Sequence, residues 1–155
     1  RPLFLEFPKD RTSWTIDDQY MFGTDLLVAP RFTSSDRGKV YLPPGDWIDY
    51  QTGRVYEGAK WHEIQIAKVP VVLLVKNHSV VPHIKVAQST KDMDWNNVEL
   101  RVFSTDNAPV TGLFTRPDSD VKTLSLSPRG RAYALSSDPQ AGKVKWDVQL
   151  QKLTR

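Results

Sequence analysis

The chain has 155 residues, with 21 Lys and Arg against 18 Asp and Glu, giving a formal net charge of +3. The basic residues are scattered, so the dense patch that nucleic acid or an anionic membrane surface selects is missing, and neither is expected as a partner. No stretch approaches the ~18 apolar residues of a membrane-crossing helix, and the lack of any cysteine excludes disulfides, thiol nucleophiles and thiolate metal sites.

The first element is "LFLEF", residues 3–7, a short apolar run that reads as a strand ended by Pro8. A chain that opens inside a strand and without Met is what an internal cut in a larger protein leaves, and a targeting segment would then lie upstream. After a polar loop, Thr12, Ser13 and Thr15 are candidate N-caps of a short helix, with Asp18 three residues past Thr15 in capping-box position. Trp14, Tyr20 and Met21 would supply its apolar contacts and Gly23 its stop. "DLLVAP" reads as a buried strand. A lone strand and helix cannot bury their own apolar faces, so these elements are expected to dock on something outside the chain.

From Arg31 the pattern becomes strand and turn. "GKVYLP" alternates, with Val40 and Leu42 on one face and Lys39 and Tyr41 on the other. "PPGDW" and "QTG" are turns around "WIDY", and "RVYEG" and "KWHEIQI" follow. "VPVVLLVK" is long and apolar enough for a fully buried strand, and "KNHS" is expected to turn it into "SVVP". The polar stretch 86–97 is the expected internal boundary. Beyond it "VELRVFS", "TGLFT", "VKTLSLS", "RAYALSS" and "KVKWDVQLQKL" read as five further strands; the last puts Val144, Trp146, Val148 and Leu150 on one face. Strands at this spacing are expected to form antiparallel sandwiches.

Taken together, "RPLFLEFP", "IDDQYMFG", "DLLVAP", "VYLPPGDWIDYQTGRVYEG" and "VPVVLLVKNHSVVP" resemble glycoside hydrolase family 31 in order and spacing over residues 1 to about 84. The resemblance implies a mainly β chain: the last strand and helix of a (β/α)8 barrel over 1–24, a proximal C-terminal β-sandwich domain over 25–86 and a distal one over 87–155. It implies that the parent is a retaining α-glycosidase that uses two Asp residues and no cofactor. Both Asp residues, and the substrate-binding Arg and His, would lie upstream of residue 1, so no catalytic, substrate-binding or metal residue is carried onto this chain. The partner it implies is the N-terminal catalytic portion of the same enzyme, which binds the oligosaccharide; contacts in a homo-oligomer would be a further role. The branch is read as α-xylosidase ahead of α-glucosidase.

Asp17 and Asp18 are neighbours whose side chains would diverge by about 100° on a helix, which does not suit a pair placed across a glycosidic bond; first-turn acids favoured by the helix dipole are the expectation. Asp25 precedes the apolar strand. Glu6 is expected to be a buried structural acid paired with a basic group of the barrel, in preference to a pocket-lining carboxylate. Trp47, Tyr50, Tyr56 and Trp61 could make a sugar-stacking platform, but core packing is favoured for them. His62, His78 and His83 lack metal-ligand spacing. Asn77-His78-Ser79 matches an N-glycosylation sequon in a turn, which tilts the expectation toward secretion, with an intracellular location as the alternative. The alternative function is a free-standing carbohydrate-binding or protein-interaction β-sandwich module.

Overall fold

In a computed structural model, which describes residues 1–31, 35–66, 69–117, 119–140 and 142–154, the apolar run "VVLLVK" becomes the middle of a sheet. The chain divides into two units, Arg1–Asn77 with Lys152–Arg155, and His78–Gln151.

The first unit opens with a single helical turn, α1 (Leu3–Glu6), and a 3-10 turn over Arg11–Thr15. Seven strands follow: β1 (Tyr20–Phe22), β2 (Leu26–Pro30), β3 (Arg37–Leu42), β4 (Asp46–Asp49), β5 (Val55–Glu57), β6 (Lys60–Gln65) and β7 (Val71–Lys76). Five of them pair antiparallel in the order β1-β2-β7-β4-β5, and β3 pairs with β6 in a second, two-stranded sheet. The apolarity of β7 follows from its central place, where Val72, Leu74 and Val75 are all buried. One core draws on both sheets, joining Leu27, Trp47, Val72 and Leu74 to Val40, Leu42 and Ile64.

The N-terminal elements depart from the expected ones. Residues 3–6 form one helical turn where a strand was expected. The turn pairs backbone groups locally, with Phe7 N donating to Leu3 O at 2.8 Å. The helix expected after Ser13 is a 3-10 turn capped by Asp10, whose side chain accepts from Thr12 N, rather than by Thr12, Ser13 or Thr15. Tyr20 and Met21 lie in β1, and Gly23, at φ +69°, belongs to the β1–β2 hairpin instead of a helix end. Met21 is thereby delivered to the core beside Leu3 and Ile16.

The end of the chain returns to this unit. Thr154 N donates to Gly53 O at 2.9 Å and Thr154 Oγ1 to Thr52 O at 2.7 Å. Gly53 must be glycine twice over: its φ is +73°, and a Cβ would stand 2.1 Å from Lys152 O.

The second unit is one six-stranded sheet of β8 (Ser79–His83), β9 (Asn97–Phe103), β10 (Val110–Phe114), β11 (Lys122–Arg129), β12 (Ala132–Leu135) and β13 (Lys145–Leu150), in the order β12-β11-β10-β8-β9-β13. The antiparallel expectation fails at two pairs. β10 lies parallel to β8, and β13 parallel to β9 from Lys145 opposite Asn97 to Leu150 opposite Val102. Parallel neighbours need long connections, and the route from β9 to β13 passes through β10, β11 and β12. Val98, Leu100, Val102, Leu124 and Leu126 build the core. β7 and β8, expected as a hairpin, join different sheets, so the units part at Asn77 and His78, ahead of the polar stretch 86–97. His78 makes the change of direction with φ +64°.

Candidate functional site

Residues 1–22 have two faces. Leu3, Ile16 and Met21 enter the core of the first unit. The other face exposes Phe4, Leu5, Trp14, Tyr20 and Phe22, of which Trp14 is 62% and Phe22 66% exposed. Phe4 and Trp14 have ring centroids 6.1 Å apart. Trp14 stands between two open grooves, one of about 650 Å³ beside Pro8, Lys9 and Arg11, the other of about 570 Å³ bounded by Phe4, Asp17, Gln19 and Tyr20. Each such side chain would return roughly 1.5–3 kcal/mol if fully buried.

Polar links hold the segment in place. Asp10 accepts from Thr12 N at 3.1 Å, Ser13 Oγ at 2.7 Å and the Tyr41 hydroxyl at 2.8 Å. Gln19 is buried and acts as a surrogate strand: its Nε2 donates to Tyr41 O at 2.7 Å, and its Oε1 accepts from Tyr41 N at 2.9 Å. Neither role leaves a local signal, since Tyr41 is 22 residues from Gln19 and 31 from Asp10. Tyr41, which alternation places on the face of Lys39, is buried with these partners. Burial, and then the Asp10 carboxylate, push its phenol above the ordinary 10.0. The folded chain therefore binds that proton more tightly than the unfolded chain. The stabilisation is complete below pH 10 and is lost as the pH rises through the raised value. Urea midpoints should fall from about pH 10 upward, with a shallower slope in Tyr41→Phe. Tyr56, also raised by burial, supplies the remaining slope.

The structure separates the other candidates. Asp17 and Asp18 are exposed between the 3-10 turn and β1, not in the first turn of a helix, and among the described residues neither carboxylate forms a hydrogen bond or ion pair. Asp25 accepts from Thr24 Oγ1 at 2.9 Å beside β2. Glu6 is half-buried and pairs with a basic group, Arg1, at 2.9 Å. Trp47 is fully buried, donating Nε1–H to Pro43 O at 2.8 Å. Tyr50 and Tyr56 are partly buried, and Tyr56 packs against the core. Trp61 is the exposed one of the four, covered by Lys39 at 5.1 Å and leaning on Tyr41 at 5.5 Å, so they form no shared platform. His62 contacts Glu57 O, His78 contacts Asp106 at 2.9 Å and His83 contacts Val81 O, each apart from the others. Among the described residues no group of three His, Cys, Asp or Glu side chains could hold a metal ion. Asn77 is half-exposed at the end of β7, and the sequon serine, Ser79, is buried.

These features define a mainly β chain of two units with an uncovered aromatic face at its N-terminal segment. Residues 1–81, more than half of the chain, match the model of the glycosyl hydrolase family 31 C-terminal domain, and the chain belongs to that family. Among curated relatives, an α-xylosidase of Saccharolobus solfataricus is 29% identical over 99% of this chain, and alpha-glucosidase 2 of Bacillus thermoamyloliquefaciens 31% identical over 81%. The matches span only 20% and 16% of those proteins' lengths. A solved α-xylosidase from Xanthomonas citri superposes on the whole chain, over 18% of its own length, with a TM-score of 0.75; at 22% identity that likeness speaks for the fold.

Proposed function

We propose that this chain is the C-terminal part of a retaining α-glycosidase that removes α-linked xylose, or else glucose, from oligosaccharides. Its work is to cover and complete the catalytic portion; the two carboxylates that retention requires about 5–5.5 Å apart belong to that portion. The observation that carries the reading is the aromatic face of residues 1–22, which lies inside the segment matched by the family model. The α-xylosidase and α-glucosidase names of the relatives support the choice of sugars. The Asn77 sequon supports secretion, and its use would be read as a mass shift on endoglycosidase treatment of the eukaryotically expressed chain.

Co-expression with the N-terminal portion tests the proposal. The two polypeptides should co-purify and cleave an aryl α-xyloside faster than an aryl α-glucoside, while the 155-residue chain alone gives no turnover. Turnover by the chain alone overturns it, as does a sugar-binding monomer that ignores the catalytic portion; the latter is the behaviour of a free-standing module. The double variant Trp14→Ala, Phe22→Ser should weaken capture of the catalytic portion by about 100-fold. Because both side chains are exposed, the melting temperature of the chain should barely move, a ΔΔG within about 0.5 kcal/mol.

A further inference from the structure

Strands β8, β9 and β13 carry polar side chains in ranks on the face away from the core of the second unit. His83 and Asp147 both stand opposite Glu99, and Lys145 stands opposite Asn97. Val98, Leu100 and Val102 alternate with Asn97, Glu99 and Arg101 and take the core side, which fixes the outward direction of the ranks. Arg101 adds a fork to the next rank, with Nε and Nη2 donating to Glu99 Oε1 at 3.0 and 2.7 Å. Together these side chains line an open groove of about 620 Å³. Trp146, between Lys145 and Asp147, turns the other way: its ring packs on the core, with an edge contact to Phe114 at 5.1 Å and a 3.0 Å hydrogen bond from Nε1 to Asp138.

We infer that this groove binds a neutral oligosaccharide. Its charges nearly cancel, since Lys85, Arg101 and Lys145 face Glu99 and Asp147, so it suits neither a polyanion nor a cation. What it offers is an interleaved set of donors and acceptors on stiff strands. Asn97 Nδ2 donates to Asp94 Oδ2 and Gln149 Nε2 to Asp147 Oδ2, which leaves the Asn97 carbonyl and the other carboxylate oxygens of Glu99 and Asp147 to accept from the adjacent hydroxyls of a vicinal diol, and Lys145 to donate to them. The volume falls within the roughly 300–1,000 Å³ range of small-molecule sites and leaves room for a short sugar chain. Burial, and then the neighbouring Arg101 charge, lower the His83 pKa, so at neutral pH that imidazole adds no positive charge to the groove.

The choice of an α-linked glucan as probe rests on the proposed function; the groove itself does not. The test is a titration of the ¹⁵N-labelled 155-residue chain with maltotriose and, separately, with inorganic phosphate, read by amide chemical shifts. Maltotriose should shift the amides of Asn97, Glu99, Lys145 and Asp147 with a Kd of about 1 mM. Asp147→Ala and Glu99→Gln should each weaken binding at least about fivefold. Asp147 is exposed, so its variant keeps the fold and decides the matter if Glu99→Gln unfolds. The inference falls if maltotriose shifts nothing up to about 50 mM, if the shifts lie elsewhere, if Asp147→Ala binds unchanged, or if phosphate alone moves these amides. No turnover enters this readout, so a failure of the glycosidase proposal and a failure of this one are told apart.

Discussion

Trp47→Ala should cost the first unit about 3–5 kcal/mol, because it opens a cavity where the largest fully buried side chain stood. The indole fills the space between β4 and the facing layer, with Phe7 at 6.2 Å against its edge. Its Nε1–H is spent on Pro43 O, so the variant also strands that carbonyl. Trp61→Ala is the matched control. Trp61 is 44% exposed, and its loss removes one cation-π contact with Lys39 worth about 0.5–1 kcal/mol at an exposed site. Urea unfolding of both variants measures the difference. If Trp61→Ala proves as costly as Trp47→Ala, the division of these aromatics between core and surface is mistaken.

Gln19→Ala should be nearly as damaging, at about 2–4 kcal/mol. One side chain satisfies both the N–H and the C=O of Tyr41, and each buried group left without a partner costs about 1–3 kcal/mol. Gln19→Glu should recover less than half of that loss, since a carboxylate still accepts from Tyr41 N but can no longer donate to Tyr41 O. Asp17→Asn and Asp18→Asn, two and one positions away, should change stability by less than about 0.5 kcal/mol. Thermal unfolding of the four variants is the measurement. Equal losses at Asp17 and Gln19 would overturn the role given to the amide.

This contrast says what was legible in the sequence. The carboxylates of "IDDQYMFG" drew attention because acids carry chemistry, yet the glutamine beside them carries the structure. Periodicity announced β13, whose Trp146 and Val148, with Val144 just ahead of the strand, turn to the core while Leu150 stays 49% exposed, and the apolar run of β7. Both signals are local and survive in a linear reading. Where a long-range contact decides, the pattern misleads. Tyr41 falls on the face of Lys39 by alternation and is buried, with Gln19 and Asp10 reaching it from far upstream. Residues 3–7 look like a strand by composition and open with a helical turn instead. The antiparallel reading of the second unit holds at three of its five pairs and fails where β10 meets β8 and β13 meets β9, because strand composition does not encode the direction of the partner. Among the candidate residues, Asp17 and Asp18 were set aside as a pair on helix geometry, though no helix forms there, while the ranks of His83, Glu99 and Asp147 depend on pairing registers.

The stitch between Thr154 and the Gly53 turn has a consequence for how this chain came together and how it can be taken apart. The second unit is not a bead threaded last on a string; it is a parenthesis opened after Asn77 and closed at Lys152. Excising it as a terminal tail would tear out the closing residues with it and leave the β4–β5 turn without the chain that Gly53 is shaped to admit. A clean removal must rejoin the two ends of the first unit. Gene fusions or truncations placed just past β13 should therefore damage the unit they were meant to spare.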